Sequence, residues 1–316
     1  MNPRLYPEGR GQLERILDAG IFAVTAEVTP PLSSDPRELL DRASPLKDLA
    51  DAVNVTDGVR ARAHMASLAS AATLAAAGIE PVLQLITRDR NRIALQGLLL
   101  GAAALGIRNI LCLAGDPPAA GDQPMAKPVF DLTSPELIAT ATAMRDQGTI
   151  PSGREITTAP RLFVGTTDTP IDPPTGWKPD RLEAKVKAGA DFIQTQLCFD
   201  VDVVRRYTAR LEEVGIGRGV PMLVGIGPLG SAGAPRWMRE NLPGTVVPDA
   251  VVRRMEGASD TKREGRRICV ELMQELQDVP GVAGVHLMAP RNEAEVPRAI
   301  EDSGVLSARA QVSAAG

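Results

Sequence analysis

The sequence predicts a single-domain α/β protein, a closed (β/α)8 TIM barrel. Short apolar segments alternate with helical segments along the chain, which is the pattern of repeated parallel β/α units. Eight such units in 316 residues favour a closed barrel over an open sheet. With 44% hydrophobic residues, the chain can fill a full core. The main alternative is a doubly wound sheet with an extra lobe.

The strands are predicted from short apolar runs that stop at a polar residue, a glycine or a proline. Leu111–Leu113 is the clearest example, because it stops at Gly115-Asp116 and two prolines then restrict the chain. The predicted strands are 21–26, 52–55, 80–85, 109–113, 161–164, 192–196, 222–226 and 282–287.

The helices are predicted from their caps. Asp35 with Pro36 and Glu38 has the form of a capping box, and Asp89 is expected to cap the helix that runs to Leu105. Glycines after the last periodic residue end several of the others. The predicted helices are 13–20, one that opens at 35–38, 63–77, 89–105, 134–145, 180–188, 201–214, two short helices within 234–255, 259–276 and 292–302.

The elements divide the chain into three parts. Residues 1–20 form an N-terminal helical extension, residues 21–305 form the barrel, and residues 306–316 form a flexible tail. The connection 117–128 is long and rich in proline, glycine and alanine, so we expect it to be functional or mobile.

Composition narrows the class of function. The net charge of −4 and the absence of a basic block argue against nucleic acid as a partner. No apolar run reaches the length of a membrane span, and no signal-peptide pattern precedes the first helix. The three cysteines predict buried thiols in a reducing cytoplasm, and the two histidines lack the spacing of a metal site. The oligomeric state stays open, with a homo-oligomer as one alternative.

The strand ends carry the candidate functional groups, because the active site of such a barrel lies where the strands end. Glu27 and Asp116 are candidates for a general acid and an electrostatic partner. Each could instead be a turn carboxylate or a cap, and each neutral group could be a satisfied strand-end side chain. The residues that share these ends are Glu27, Thr56, Gln84, Asp116, Thr166, Gln194 or Gln196, and Gly225.

Other motifs are weak. Gly225–Gly230 has the letters of a dinucleotide fingerprint, but Pro228 interrupts it and no βαβ unit surrounds it. No strand ends in a lysine, which argues against Schiff-base chemistry. Lys185 lies on a helix, where a lysine is ordinarily at the solvated surface.

Several segments together resemble the methylenetetrahydrofolate reductase family. They occur in the family's order and cover about residues 22–305. These segments are Glu27–Pro31, Val55–Gly58, Gly106–Ile110 continuing to Gly115–Pro118, Lys185–Ala190 and Gln194–Asp200.

The resemblance implies that FAD binds at the strand ends, that NADH or NADPH reduces it, and that the reduced flavin passes hydride to 5,10-methylenetetrahydrofolate to give 5-methyltetrahydrofolate. Glu27 matches the family's acid, Asp116 the carboxylate between flavin and folate, and Gln196 an amide that contacts folate. The implied flavin-side positions are Thr56, Gln84, Asp116, Phe130, Asp131, Thr166 and Lys185. One-carbon metabolism is the implied setting; whether the methyl group feeds methionine biosynthesis or a catabolic route stays open.

The chain departs from the family pattern at four places. Ala114 stands where many members have an arginine that helps hold the flavin phosphates, and Gln84 stands where a histidine is common. Thr166–Pro170 stands where many have a Tyr-Pro or Ala-Asn-Pro segment, and an aromatic residue expected near Ala232 to close over the nicotinamide or the folate is missing. These departures favour folate binding over tight FAD binding. They leave open direct hydride transfer from NAD(P)H, a pterin-dependent methyl transfer, and a partner-dependent folate-binding subunit.

Overall fold

The predicted barrel is confirmed. The computed structural model describes residues 9–216 and 219–307. In it, eight parallel strands pair in chain order and the last pairs with the first, which closes the sheet. The strands are β1 Ala23–Val28, β2 Ala52–Val55, β3 Pro81–Ile86, β4 Asn109–Leu113, β5 Phe163–Asp168, β6 Phe192–Leu197, β7 Met222–Ile226 and β8 Val282–Leu287.

Helices surround the sheet, and a short one closes its lower end. The helices are α1 Gln12–Asp18, α2 Pro36–Ala43, α3 Ser67–Ala76, α4 Arg92–Ala104, α5 Ser134–Asp146, α6 Asp180–Lys187, α7 Val201–Glu213, α8 Ala234–Asn241, α9 Asp249–Glu256, α10 Thr261–Leu276 and α11 Val296–Ser303. Within the described ranges, none of them is both long and apolar enough to cross a membrane.

Several elements start a few residues from their predicted positions, among them α3, α4 and α11. Helix α4 is capped by Asn91, whose side chain accepts from the Ala94 amide at 3.1 Å, so the prediction of Asp89 as the cap is wrong. Asp89 instead accepts from the guanidinium group of its chain neighbour Arg88 at 2.7 Å, and this local ion pair competes with the cap. Helix α3 begins at Ser67 rather than at residue 63.

Strand β5 runs from Phe163 to Asp168 instead of ending at residue 164. The Thr-Thr-Asp segment remains in the sheet because it pairs with β4 on one side and β6 on the other. Thr166 is therefore a strand residue and does not follow the strand.

The lower part of the barrel interior is a small apolar core. Phe163 and Phe192 stack there with centroids 4.9 Å apart. Gly165 is required beside them, because a Cβ atom at that position would lie 2.2 Å from the Phe192 ring. The members of this floor are Leu13, Leu17, Ala23, Ala52, Val82, Leu111, Phe163, Phe192 and Leu223.

The chain termini extend beyond the described residues. The start of the predicted N-terminal extension and the tail after residue 307 lie outside the described ranges, although residues 305–307 still have helical backbone. The domain boundaries stay a prediction.

Candidate active site

A cavity of about 990 Å3 opens at the carboxyl ends of the strands. Side chains from several strands and from the loops above them line it. Of the residues predicted from the sequence, the lining includes Glu27, Gln84, Asp116, Lys185, Gln194 and Gln196. The closed sheet is what brings together groups that lie far apart in the chain.

Glu27 lies at the end of β1 with two polar neighbours. Gln84 on β3 donates from Nε2 to Glu27 Oε2 at 2.8 Å. His286 on β8 places its Nε2 atom 3.8 Å from the same oxygen. The Glu27 side chain is 22% exposed and that of His286 is 3% exposed, so the carboxyl group faces the cavity from a largely enclosed position.

A polar layer lies beneath Glu27, between the mouth and the apolar floor. Asn54 donates to Gln194 Oε1 at 2.6 Å, and Gln194 donates back to Asn54 Oδ1 at 3.1 Å. Gln194 also donates to the Thr25 hydroxyl at 3.1 Å, and that hydroxyl lies 3.0 Å from His286 Nδ1. Four strands thus contribute to one buried hydrogen-bonded network.

Asp116 lies on the loop after β4, which is joined to the loop after β2. Its Oδ2 atom accepts from the Arg60 amide at 3.0 Å. Arg88, which is 4% exposed, donates to the Asp116 carbonyl at 3.1 Å and to the Gly58 carbonyl at 3.2 Å. Gly115 has φ of +90°, and a Cβ atom there would press on Ile86 and Arg88. The backbone therefore holds the Asp116 carboxylate at the edge of the cavity.

Trp237 supplies an aromatic ring at the mouth that the sequence reasoning did not find. It lies on α8, one turn beyond Ala232, and it lines the cavity. The guanidinium groups of Arg60 and Arg291 lie 5.4 and 5.7 Å from its ring centroid. The sequence could have indicated this residue, because the chain has only two tryptophans and Trp237 lies on the amphipathic helix after β7.

The side of the cavity near β5 and β6 carries a second set of ionisable groups. Lys185 reaches from α6 to donate to the Thr167 carbonyl at 2.5 Å, so its amine lies at the end of β5 and is not the solvated surface group expected for a lysine on a helix. Burial lowers the pKa of Lys185 and raises the pKa of Asp168. Tyr207 donates its hydroxyl to Asp168, and burial raises the pKa of that tyrosine.

Four of the implied flavin-side residues lie outside the described lining of the cavity. Thr166 is fully buried and faces away from the barrel interior, because Gly165 and Thr167 on either side of it face inward. Thr56 is only 2% exposed. Phe130 is 41% exposed with φ of +42°. Asp131 receives the Arg92 guanidinium at 2.9 Å.

No metal cluster is present in the part of the chain that the structure describes: no group of three or more His, Cys, Asp or Glu side chains is arranged to hold an ion. Cys112, Cys198 and Cys269 are buried and free. Burial raises the pKa of the Cys198 thiol to about 12, so that thiol is a poor nucleophile.

Two of the comparisons with known proteins name the same family. A family model described as methylenetetrahydrofolate reductase matches residues 12–304. Methylenetetrahydrofolate reductase 2 from Schizosaccharomyces pombe is 27% identical over 248 residues, which cover 73% of this chain and 37% of that protein. The chain thus spans little more than a third of the length of this relative.

A solved structure shares the fold. It is an uncharacterised protein from Clostridium thermocellum, described as binding two copies of 5-methyl-5,6,7,8-tetrahydrofolic acid. The TM-score is 0.60 at 14% identity, and the match covers 92% of this chain and 97% of the other. At this identity the likeness shows the barrel fold alone.

Proposed function

Because this chain belongs to the methylenetetrahydrofolate reductase family, we propose that it reduces 5,10-methylenetetrahydrofolate to 5-methyltetrahydrofolate with NADH or NADPH. The observation that carries the proposal is the mouth of the barrel, where Glu27 and Asp116 line one cavity. The resemblance gives these two positions the roles of acid and electrostatic partner. The Schizosaccharomyces pombe relative is much longer than this chain, so the name of that relative does not by itself support the proposed activity. The support comes from the site and from the family.

The cavity offers complementary groups for a folate. A tetrahydrofolate has a pterin ring, an aromatic benzoyl group and a glutamate with two carboxylates. Trp237 can stack on an aromatic ring, and Arg60 and Arg291 beside it can pair with carboxylates. Gln196 lines the cavity, where its Oε1 atom accepts from the Leu197 amide at 2.9 Å and its Nε2 atom donates to the Pro243 carbonyl at 3.4 Å. Its second N–H and its second oxygen lone pair can bond to the pterin edge. We therefore assign the folate to the side of the mouth that holds Glu27 and Trp237.

The reaction needs a proton and a hydride. Glu27 donates the proton to the amine nitrogen that leaves when the five-membered ring of the folate opens, and the substrate becomes a cationic iminium. The negative charge of Asp116 stabilises that cation. Hydride from NAD(P)H adds to the iminium carbon to form the methyl group, and Glu27 regains a proton from solvent.

We take the cavity to fit a bound flavin poorly. Of the seven positions that the resemblance gives to the flavin, Gln84, Asp116 and Lys185 line the cavity, and the other four lie outside its described lining. The Arg88 side chain fills the space beside Gly58, because a Cβ atom there would lie 2.5 Å from its Nη2 atom. The loop after β4 closes on the loop after β2, since a Cβ atom at Gly121 would lie 2.0 Å from the Ala61 carbonyl oxygen.

We therefore derive no step through FAD and propose direct transfer from the nicotinamide to the folate. Lys178, Arg181 and Lys185 line the far side of the cavity, where they can pair with the phosphates of the dinucleotide. The nicotinamide would then extend from that side toward Glu27 and the folate carbon.

The experiment is the loss of NADH or NADPH absorbance when methylenetetrahydrofolate is added to the pure full-length chain, with and without added FAD. We expect equal turnover in both arms. Turnover that requires FAD would contradict direct transfer while it keeps the reductase. An absence of turnover in every arm would contradict the reductase and favour the methyl-transfer or partner-dependent readings.

A further inference from the structure

His286 is a buried histidine at the centre of the polar layer, and its two ring nitrogens face different environments. Nδ1 faces downward to the Thr25 hydroxyl at 3.0 Å and to Gln194 Nε2 at 3.4 Å. Nε2 faces upward to Glu27 Oε2 at 3.8 Å. The imidazole therefore connects the neutral network below to the proposed acid above.

The Thr25 hydroxyl can serve either protonation state of Nδ1. It can donate to the Val285 carbonyl at 3.3 Å and accept from a protonated Nδ1. It can also turn to donate to an unprotonated Nδ1, since a hydroxyl has one donor and two lone pairs. The buried network is thus satisfied whichever ring nitrogen of His286 carries the proton.

Each state of Nδ1 matches one state of Glu27. With Nδ1 protonated, one further proton resides on Nε2 or on the Glu27 carboxyl group, which lies 3.8 Å away and within ion-pair distance. With Nδ1 unprotonated, Nε2 carries the hydrogen and faces the Glu27 carboxylate. Gln84 from β3 contacts Glu27 as a neutral donor, and Gly225 is the residue of β7 that pairs with His286. Asp116, Arg60 and Arg291 are charged groups of the cavity above them.

We infer that Glu27 and His286 form a coupled acid dyad that at rest holds one acidic proton beyond that of the neutral imidazole, with His286 as the positioning residue and Thr25 as its hydroxyl switch. This inference rests on the proposed function, in which Glu27 delivers that proton to the folate amine. A lone carboxyl group in water loses its proton several pH units below neutrality, whereas an imidazole near it can retain one. The dyad keeps an acid available at neutral pH, and solvent restores its proton after each turnover.

The first test reads the ring nitrogens directly. The chain has two histidines, so a sample labelled with 15N-histidine gives two sets of signals, and a His64→Gln variant assigns them. We expect His286 Nδ1 to be protonated at low pH and to lose its proton as pH rises, leaving the Nε2–H form. A state of Nδ1 that does not change between about pH 5 and pH 9 would overturn the dyad. A change with the same midpoint in Glu27→Gln would also overturn it, because His286 would then titrate alone.

The second test removes the hydroxyl switch. Thr25→Val deletes the hydroxyl while it keeps the side-chain shape, and we expect kcat at neutral pH to fall about tenfold with little change in the folate KM. The matched control Thr25→Ser keeps the hydroxyl and should stay within about twofold of the parent. In the parent, the pH at which kcat falls by half should coincide with the NMR midpoint. An unchanged kcat and pH profile in a folded Thr25→Val would contradict the role of the switch.

The two readouts separate the inference from the proposed function. If the chain lacks reductase turnover but the midpoint of Nδ1 proton loss shifts in Glu27→Gln, the dyad stands and the proposed function fails. If turnover is present but that midpoint is the same in Glu27→Gln, the proposed function stands and the dyad fails.

Discussion

The two ends of the barrel interior differ in chemistry although the same strands build both. Along β1 the inward positions are Ala23, Thr25 and Glu27, and along β6 they are Phe192, Gln194 and Gln196. The lower end is an apolar floor that α1 covers with Leu13 and Leu17. The upper end opens into the cavity that Glu27 and Gln196 line.

The difference indicates that the lower end of the barrel serves stability and the upper end serves activity. The floor excludes water and stabilises the fold by burial of aromatic and aliphatic side chains. The polar groups of the middle layer hydrogen-bond to one another within the interior, so the layer can lie directly beneath Glu27 without leaving polar groups unsatisfied. Changes at the mouth should therefore alter activity with little effect on stability, and changes at the floor should do the reverse.

The largest expected effect is at the mouth. Glu27→Gln removes the proposed acid, and we expect kcat for folate reduction to fall at least about 100-fold because general acid catalysis is lost. The thermal midpoint of unfolding should stay near that of the parent. The exposed Glu301→Gln on α11 is the matched control and should keep its activity. Turnover near the parent value in Glu27→Gln would remove this residue from the mechanism.

The floor should respond in the opposite sense. Phe192→Ala deletes a fully buried ring and its stacking on Phe163, so the free energy of unfolding should fall by about 3–5 kcal/mol. Denaturant unfolding measures this loss. The protein that remains folded should keep a kcat close to that of the parent. A loss of activity without a loss of stability would contradict the division between floor and mouth.

The middle layer should show coupling. Asn54→Leu leaves the buried Gln194 amide without its reciprocal partner, which should cost about 1–3 kcal/mol in the free energy of unfolding. Adding Gln194→Met should recover part of that cost, because no amide is then left unsatisfied. Strict additivity of the two changes in denaturant unfolding would show that the pair is not coupled.

The smallest expected effect lies outside the barrel. Hydrogen bonds from Arg92 lower the pKa of Asp131 from 3.8 to about 2. A carboxyl group whose pKa is lower in the folded state than in the unfolded state stabilises the fold at pH values above its unfolded-state pKa. That contribution is lost as pH falls through the folded-state pKa of about 2. The small difference in thermal midpoint between the parent and Asp131→Asn should thus be present above about pH 4 and shrink toward pH 2. A difference that is independent of pH would contradict this account.

The sequence predicted the barrel because strand periodicity and helix caps are local signals. It predicted Glu27 and Gln84 at one mouth because strand ends converge in any such barrel. It misjudged Thr166, since the apolar run stops at residue 164 while pairing with β4 and β6 continues the strand. Alternation along a strand then turns that side chain outward.

Other features needed the fold itself. The contact between Thr25 and His286 joins residues 261 positions apart, and no local pattern carries it. Trp237 reaches the mouth because α8 folds over the end of β7, and its two arginine neighbours come from the loops after β2 and β8. The position of the Lys185 amine also needed the fold, because a place on a helix does not indicate that the amine reaches the end of β5.

The most direct test of direct hydride transfer follows a deuterium atom. NADH or NADPH that carries deuterium at both C4 positions of the nicotinamide is incubated with the pure chain and methylenetetrahydrofolate in ordinary water, and the product methyl group is analysed by mass spectrometry. Direct transfer predicts one deuterium retained in each new methyl group. Methyl groups without deuterium would contradict the account, because the hydride would then have passed through a carrier that exchanges it with water.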